Sequence, residues 1–281
     1  MIENQFNFLK TKKSLLYILI WLVILAVLAP FLSIYDPYIL ENINVQDKLL
    51  PPLSSTSTHF YFLGTDNYGR DLWSCILYGL RVSLYVALLS AFTAFCIGTV
   101  IGLLSGYYGH IVDNICMRVV DVMLSMPSIL VALFFMALFG KGVDKLFFAL
   151  ILVQWAYFAR AARGLCILEK NKTYVEAMKS LNFSHKRIVF YHIFLNCLPS
   201  LVIVGVSQIG QAIALEATLS FFGLGLPISQ PSLGLLISNG FEVMMVGKYW
   251  VSLFPGIILF LLVFSLNFWV EKYKSRYLAS H

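Results

Sequence analysis

The sequence predicts an all-α membrane protein with six transmembrane helices. Hydrophobic residues make up 59% of the 281 residues and charged residues 12%, which is far from the composition of a soluble domain. The apolar residues are gathered in long runs, and a helix of about 20 residues crosses a hydrocarbon core about 30 Å thick. The net charge of +6 does not require a nucleic-acid partner, because basic residues of membrane proteins collect in cytoplasmic loops.

The first predicted span covers residues 15–32 and follows a lysine-containing cytoplasmic tail of residues 1–14. A basic start followed by an apolar run is also the pattern of a signal peptide. No small-residue cleavage site clearly follows the run, so we expect a retained first helix. In residues 33–79, Pro, Ser and Gly occur at a density that predicts a periplasmic or extracellular loop.

Five further apolar runs predict the remaining spans, within a core transmembrane domain of residues 80–270. Their expected limits are Val82–Leu104, Met117–Phe139, Leu146–Arg160, Leu198–Phe222 and Trp250–Val270. Between the fifth and sixth spans, prolines and glycines predict a bent segment that returns towards the bilayer, since irregular backbone is tolerated where protein or a cavity covers it. These residues are Pro227, Pro231, Gly234 and Gly240. A cytoplasmic tail of residues 271–281 follows the sixth span.

Lysines and arginines are distributed unevenly between the two sides that six spans define. One side holds Lys48, Arg70, Arg81, Lys141, Lys145 and Lys248. The remaining basic residues lie in the tails and loops of the other side, and they are densest between Arg160 and Arg187. By the positive-inside rule that side is the cytoplasm. We therefore expect a multi-pass protein of the cell inner membrane with both termini in the cytoplasm.

The polar stretch of residues 166–199 is predicted to be a cytoplasmic loop. Good helix formers over Lys170–Ser180 indicate a first helix, and Ser184 can cap a second helix over Lys186–Leu195. Asn182 lies between them, and Asn is the best residue other than glycine for a left-handed turn. These residues alone are equally compatible with a solvated basic loop.

Glu176, Ala177 and Met178, followed after three residues by Asn182 and an amphipathic helix, resemble the EAA loop of ATP-binding-cassette (ABC) importer permeases. Further stretches resemble the branch of that family that transports peptides and nickel or metal chelates. They are Leu63–Asp66 with Gly69–Asp71, Asp113–Asp121 and Leu219–Gly225. The loop departs from the family pattern in having Met178 for the second Ala, Asn182 for Gly and Leu195 for Pro.

The resemblance implies the type I ABC importer permease fold and a subunit that forms half of a translocation pore. The implied partners are a homologous permease subunit, giving a heterodimer, two ABC ATPase subunits and an extracytoplasmic solute-binding protein. The coupling helix around Thr173–Leu181 is expected in a groove of the ATPase. The residues expected to couple to the ATPase are Glu176, Ala177, Met178, Lys179 and Asn182. Peptides and nickel or metal chelates both remain open as cargo, although Trp155–Arg160 leans towards the metal-transporting members.

Four polar residues within the predicted spans are candidates for the translocation path: Gln154, Gln208, Gln211 and Glu216. Polar side chains at this depth usually face a bundle interior or a water-filled path, and they also join helices through hydrogen bonds. The sequence leaves both roles open. An ion-coupled secondary transporter, independent of an ATPase, is the alternative function, and Glu216 is its plausible carboxylate.

No enzymatic site is expected. The sequence has no GxxxxGK[ST] phosphate loop, so ATP and Mg are expected on the ATPase subunits and no cofactor in this chain. The five histidines have no ligand-like spacing, and the five cysteines include no CxxC pair, so neither a metal site nor a disulfide framework is predicted. Glu169 and Glu176 lie beside lysines and are expected to be charges on a helix surface.

Overall fold

The structure of the chain is a computed structural model that describes residues 16–36, 38, 45–56 and 59–279. The predicted tail of residues 1–14 lies outside these ranges. In chain order the helices are α1 (Leu16–Val27), α2 (Ala29–Leu32), α3 (Leu72–Tyr108), α4 (His110–Ser125), α5 (Ser128–Phe139), α6 (Val143–Lys170), α7 (Thr173–Ser180), α8 (His185–Phe221), α9 (Leu233–Met244) and α10 (Trp250–Ala279). Strands β1 (Ser54–Ser55) and β2 (Phe60–Tyr61) pair antiparallel, after a 3-10 turn at Val45–Asp47.

Four helices of the described part are long and apolar enough to cross a membrane: α3, α6, α8 and residues Trp250–Lys274 of α10. Helices α4 and α5 together meet the same length and composition but are bent by 88° relative to each other. Helices α1 and α9 are apolar and shorter. The predicted all-α membrane fold is confirmed, although fewer than six helices among the described residues are long, straight spans.

The third predicted span, Met117–Phe139, is wrong as one straight helix. Met126 ends α4 in an extended conformation (φ −92°, ψ 140°), and Pro127 stands before the first residue of α5. Proline disfavours helical geometry in the residue that precedes it and has no N–H to donate. The chain therefore turns sharply between α4 and α5. Similarly, the first predicted span is interrupted at Leu28, just before the turn of helix that contains Pro30.

The other spans are longer than predicted. Helix α3 starts at Leu72, inside the predicted loop of residues 33–79, because the Asp71 carboxylate accepts a hydrogen bond from the Ser74 N–H and caps the helix. Helix α6 continues past Arg160 to Lys170, since its arginines pair with carboxylates of α4. Charged residues at the predicted span limits thus lie within continuous helices.

The second loop helix and the fifth span, predicted as separate, form the single helix α8. Its first part contains a π-helical segment, Ile188–Ile193, where the Phe194 N–H donates to the Val189 carbonyl. Within this segment Ile188, Val189 and Ile193 are all buried. The polar loop therefore runs directly into a membrane-spanning helix, with no flexible connection between them.

Helices α3 and α6 pack closely along a stripe of glycines. A Cβ atom added to Gly98, Gly102 or Gly106 would lie 2.3, 2.3 or 2.9 Å from a backbone carbonyl oxygen of α6. Small residues at every fourth position let two helices approach closely in a membrane. This stripe was not predicted from the sequence, and it makes α3 and α6 the central pair of the bundle.

Buried hydrophobic residues of the described part form a large cluster along the bundle, a smaller one beneath α7, and a third made of Val120, Ala156 and Ala159. The smaller cluster takes Val175 from α7, residues of the π-helical segment from α8, and Cys166 and Cys197 as small apolar side chains. We name the two extremities of α3 by what lies there. The α7 end holds residues 171–184, and the Arg70 end holds residues 64–71.

Candidate functional site

Helix α7 exposes most of the residues that the sequence predicts to couple to an ATPase. Val175 is fully buried and holds the helix on the smaller cluster. Met178 is half-buried and packs on the same cluster. The exposed residues of the helix and its end include Glu176, Ala177, Lys179 and Leu181. One side of α7 is therefore anchored, and the other offers acidic, basic and apolar groups to a partner.

The turn after α7 is a Schellman motif formed around Asn182. Asn182 has φ +62°, so the predicted left-handed turn between two helices is confirmed. Its N–H donates to the Lys179 carbonyl (3.0 Å), and the Phe183 N–H donates to the Met178 carbonyl (3.1 Å). Phe183 and Met178 both pack on the smaller cluster, which supplies the hydrophobic contact common in this motif. Met178, a departure from the family pattern, thus helps to fix the turn.

Ser184 occupies the N-cap position of α8, with an extended backbone (φ −63°, ψ 139°). Its side chain makes no capping hydrogen bond within the described structure, so the predicted side-chain cap is wrong. The Ser184 carbonyl instead accepts a hydrogen bond from the Ile188 N–H at 3.1 Å. The backbone geometry of the turn is sufficient to start α8.

A group of hydrogen bonds that the sequence did not reveal holds the start of α7. The Glu169 carboxylate accepts from the Lys172 ammonium (2.5 Å) and from the Tyr174 hydroxyl (2.8 Å), whose oxygen accepts from the Asn196 amide (3.0 Å). Burial raises the pKa of Tyr174 to about 12, so the hydroxyl remains a donor at neutral pH. The Glu169 side chain is 13% exposed, so it is a partly buried, hydrogen-bonded charge, whereas Glu176 is an exposed surface charge as predicted.

The stretch Asp113–Asp121 joins α4 to α6 near the α7 end. Arg163 donates from Nε and Nη2 to the two oxygens of Asp113 at 2.5 and 2.6 Å, and the Ser105 hydroxyl donates to the same carboxylate. Such two-pronged pairing fixes orientation as well as distance. A second ion pair links Arg160 to Asp121.

Glu216 is fully buried and meets hydroxyls from three elements. Its carboxylate accepts hydrogen bonds from Ser83 of α3 (2.7 Å) and Ser220 of α8 (2.8 Å). It is also hydrogen-bonded to the side chain of Ser232. The Ser232 oxygen in turn accepts from the Leu235 N–H and caps α9. This geometry is that of a carboxylate joining helices, one of the two roles that the sequence left open.

The three glutamines lie in different environments. Gln154 and Gln208 are 2% and 5% exposed, and both Gln154 amide atoms and the Gln208 Oε1 lack hydrogen-bond partners in the described part of the chain. Gln211 is exposed. The structure therefore separates Gln211 from the buried face of α8 that carries Gln208 and Glu216.

At the Arg70 end, the segment before α3 is joined to the segment around α9. Arg70 donates from Nε to Asp66 (2.7 Å) and from Nη1 to the Ile228 carbonyl (3.0 Å). The Asn67 amide donates to the Asn239 carbonyl at 2.8 Å. The bent segment predicted around Pro227–Gly240 is a loop followed by α9, which packs against α8 and α10 through its glycines.

Comparison with known proteins assigns this arrangement to a family. Residues 98–278 match the family described as binding-protein-dependent transport system inner membrane component. The chain belongs to this family. The permease is 32% identical over 252 residues to the dipeptide transport system permease protein DppC of Bacillus subtilis, covering 90% of this chain and 76% of that protein.

Two other relatives are similarly close. The permease is 32% identical over 250 residues to the probable D,D-dipeptide transport system permease protein DdpC of Escherichia coli, covering 89% and 81% of the two chains. It is 35% identical over 231 residues to the glutathione transport system permease protein GsiD of Pectobacterium atrosepticum, covering 82% and 75%.

Solved structures show the same fold. A chain of the MetNI methionine ABC transporter, in an inward-facing conformation, matches the permease with a TM-score of 0.58 and 19% identity, covering 70% of this chain and 94% of that one. Another crystal form of that transporter gives a TM-score of 0.55 and 18% identity, covering 72% and 97%. The type I ABC importer permease fold that the resemblance implied is confirmed.

The permease is thus a multi-pass inner-membrane subunit of an ABC importer, as the motifs implied. Membership in this family does not support the alternative of a secondary transporter that works without an ATPase. The family implies ATPase and binding-protein partners in general terms. The contacts of α7 with an ATPase and the residues along the translocation path remain predictions.

Proposed function

We propose that this permease forms half of the translocation pore of an importer for dipeptides or oligopeptides. The observation that carries the proposal is the match over most of the chain to permeases named for dipeptide, D,D-dipeptide and glutathione transport. These cargoes are all short peptides or peptide-like molecules. Nickel and metal chelates are the other cargo that the resemblance left open, and uptake of nickel is to be measured beside uptake of a dipeptide.

The other subunits are proposed to be a homologous permease, two ABC ATPases and an extracytoplasmic solute-binding protein. The α7 end would face the cytoplasm, because the basic residues between Arg160 and Arg187 cluster there, and both termini would lie on that side. ATP and Mg would be bound by the ATPases, because this sequence has no phosphate loop of its own.

Helix α7 is proposed as the contact with one ATPase. Glu176, Ala177 and Lys179 are exposed on it, while Val175 anchors it to the bundle. ATP binding would close the ATPases and displace α7, which would bias the bundle between inward-facing and outward-facing states. Met178 and Asn182 would act through the shape of the turn.

The four polar residues within the spans are proposed to have different roles. Glu216, surrounded by serine hydroxyls, would join helices. Gln211, which is exposed on α8, would face the pathway. Gln154 and Gln208 are buried, and they carry amide atoms that have no hydrogen-bond partner among the described residues. They would reach the pathway where α6 and α8 separate during transport.

The test is uptake into proteoliposomes that contain the complete importer with its binding protein. We expect uptake of a labelled dipeptide that requires hydrolysable ATP and that stops when the ATPase subunits carry a non-hydrolysing substitution. Nickel and chelated nickel are supplied in parallel. Dipeptide uptake driven by a proton gradient without ATP would contradict the proposal, as would ATP-driven uptake of nickel without uptake of any dipeptide or oligopeptide.

A further inference from the structure

Tyr107 lies near the end of α3, where it is 5% exposed, and its interactions converge from several elements. Its backbone carbonyl accepts a hydrogen bond from the Lys170 ammonium at 2.5 Å. Its hydroxyl is hydrogen-bonded to Nδ1 of His185 at 2.7 Å. The ammonium groups of Lys170 and Lys179 lie 5.7 and 5.8 Å from the centre of its ring, within the range of cation–π attraction.

The partners of Tyr107 lie at the boundaries of the loop. Lys170 is the last residue of α6, Lys179 is in the last turn of α7, and His185 is the first residue of α8. One side chain therefore contacts the helix that enters the loop, the exposed helix within it and the helix that leaves it. The Schellman turn lies between Lys179 and His185, so both arms of the turn are positioned against the same ring.

These contacts differ in kind from the apolar packing beneath α7. Val175, Met178 and Phe183 pack on the smaller cluster, and such packing permits small shifts because it is not directional. Hydrogen bonds and cation–π contacts depend on the position of specific atoms. The contact of Lys179 with the Tyr107 ring is therefore position-specific, while the cluster below keeps α7 on the bundle.

Helix α3 continues from Tyr107 into the interior of the permease. The glycine stripe holds α3 against α6 at backbone contact distance, so sliding one helix along the other would bring backbone atoms into collision, and separating the two helices would lose this close packing. Further along α3, Ser83 is hydrogen-bonded to Glu216, on the order of 35 Å from Tyr107 at the rise of an α-helix. A displacement applied at Tyr107 therefore reaches the buried polar cluster through one continuous helix.

We propose that Tyr107 is the positioning residue through which movement of α7 is transmitted to the α3–α6 pair. This inference rests on the proposed function, in which an ATPase moves α7. The ATPase itself need not touch Tyr107, because the side chain lies beneath the exposed face of the loop. Its role would be to make the loop and α3 move together.

The test compares Tyr107→Leu, which removes the ring, with Tyr107→Phe, which keeps it and loses the hydroxyl. Both are assembled into the complete importer in proteoliposomes, and dipeptide uptake is measured per ATP hydrolysed. For Tyr107→Leu we expect the ATPases to stay bound and to hydrolyse ATP while uptake per ATP falls about tenfold, within the usual range of coupling between sites. Tyr107→Phe, which keeps the ring, should show a smaller loss.

Tyr191→Leu is the matched control, because it removes a ring at an exposed position of α8. It should leave dipeptide uptake per ATP hydrolysed unchanged.

A further variant tests whether Lys170 and Tyr107 act together. Lys170→Met removes the cation from the ring and the donor from the carbonyl, and its effect should add only in part to that of Tyr107→Leu, because both variants lose the cation–π contact while Tyr107→Leu keeps the carbonyl. Unchanged uptake per ATP in Tyr107→Leu would overturn the inference, as would release of the ATPases from that variant. Equal loss in Tyr107→Phe and Tyr107→Leu would overturn the role of the ring. Failure of the unsubstituted importer to take up peptides with ATP would instead contradict the proposed function.

Discussion

At the Arg70 end of the bundle, charged and polar groups are buried within the chain, whereas at the α7 end many of them face solvent. Asp66 and Arg70 are 0% and 3% exposed, and Arg70 donates to Asp66 and to the Ile228 carbonyl. Glu216, further along the bundle, is likewise 0% exposed and accepts a hydrogen bond from Ser83. In the ion pair Arg160–Asp121, the side chains are 53% and 63% exposed. Glu176 and Lys179 are also exposed.

The difference indicates how many of the charged groups in each region already have their partners within this one chain. A buried charge costs stability unless it is paired and hydrogen-bonded, so the Arg70 end is held together by contacts that are already present. Exposed charges contribute little to the stability of a single chain and remain available to a partner. Substitutions near Glu216 should therefore affect folding, and those on the face of α7 should affect assembly.

Glu216→Ala should have the largest effect on stability. Removing the carboxylate leaves the hydroxyls of Ser83 and Ser220 without their acceptor in a buried site, and we expect a loss of about 3 kcal/mol in the free energy of unfolding. Thermal unfolding of the purified permease in detergent measures this loss. Gln211→Ala, on an exposed part of the same helix, is the control and should change little. An equal loss of thermal stability in the two variants would contradict the view that the buried carboxylate stabilises the bundle more than an exposed polar residue does.

Gly102→Ala should have the next largest effect, because the added Cβ would lie 2.3 Å from the Ala159 carbonyl oxygen. Helices α3 and α6 must then move apart, at a cost of about 1–3 kcal/mol. Gly164→Ala on α6 is a matched control, since a Cβ there meets nothing within 4 Å. We expect a lower unfolding temperature for the first variant and no loss for the second. A stable Gly102→Ala variant would contradict the close contact between α3 and α6.

Asn182→Val should weaken the α7 end without disturbing the rest of the bundle. A β-branched residue is strained in the left-handed conformation of Asn182, at a cost of about 1–2 kcal/mol, while Asn182→Gly removes strain. Limited proteolysis reports the local opening of the loop. We expect faster cleavage after residues 171–184 in the Val variant and slower or unchanged cleavage in the Gly variant. The reverse order would show that the turn is not left-handed in the assembled protein.

Glu176→Lys should have the smallest effect on stability and the clearest effect on assembly. The side chain is exposed, so the change in unfolding free energy should stay within about 0.5 kcal/mol. If α7 docks on an ATPase, reversing this charge should reduce co-purification of the ATPase while the permease stays in the membrane. Glu242→Lys, the same reversal at an exposed position on α9, should leave co-purification unchanged. Retention of the ATPase by both variants would contradict docking through α7.

Several features could be predicted because each depends on a local property. The long apolar runs predicted helices, and the family motifs predicted the position of the coupling loop. Asn182 is confirmed in a left-handed turn, since few residues other than glycine accept that conformation. The break at Pro127 was not predicted, because the apolar run continues across the proline. An apolar composition does not show whether the helices on its two sides continue in the same direction.

Other features depend on which helices meet, and a single sequence does not contain that information. The spacing of Gly98, Gly102 and Gly106 was a usable signal, since small residues four apart indicate a helix contact, but the sequence does not say that the partner is α6. The convergence of Lys170, Lys179 and His185 on Tyr107 carries no sequence signal, because the tyrosine is remote in the chain. Glu216 was recognised as a polar residue in an apolar run, yet its role depends on serines from three separate segments.

The π-helical segment Ile188–Ile193 gives α8 one residue more than a regular helix would need between the turn and the span. Each residue of an α-helix advances the chain by about 100° around the axis. Deleting one residue within the segment would therefore restore regular winding while rotating α7 by about a quarter-turn relative to the bundle. Its exposed face would then point away from its present direction even if every side chain on it were retained. The direction in which the exposed face of α7 points is thus set by the number of residues in α8 as well as by their identity.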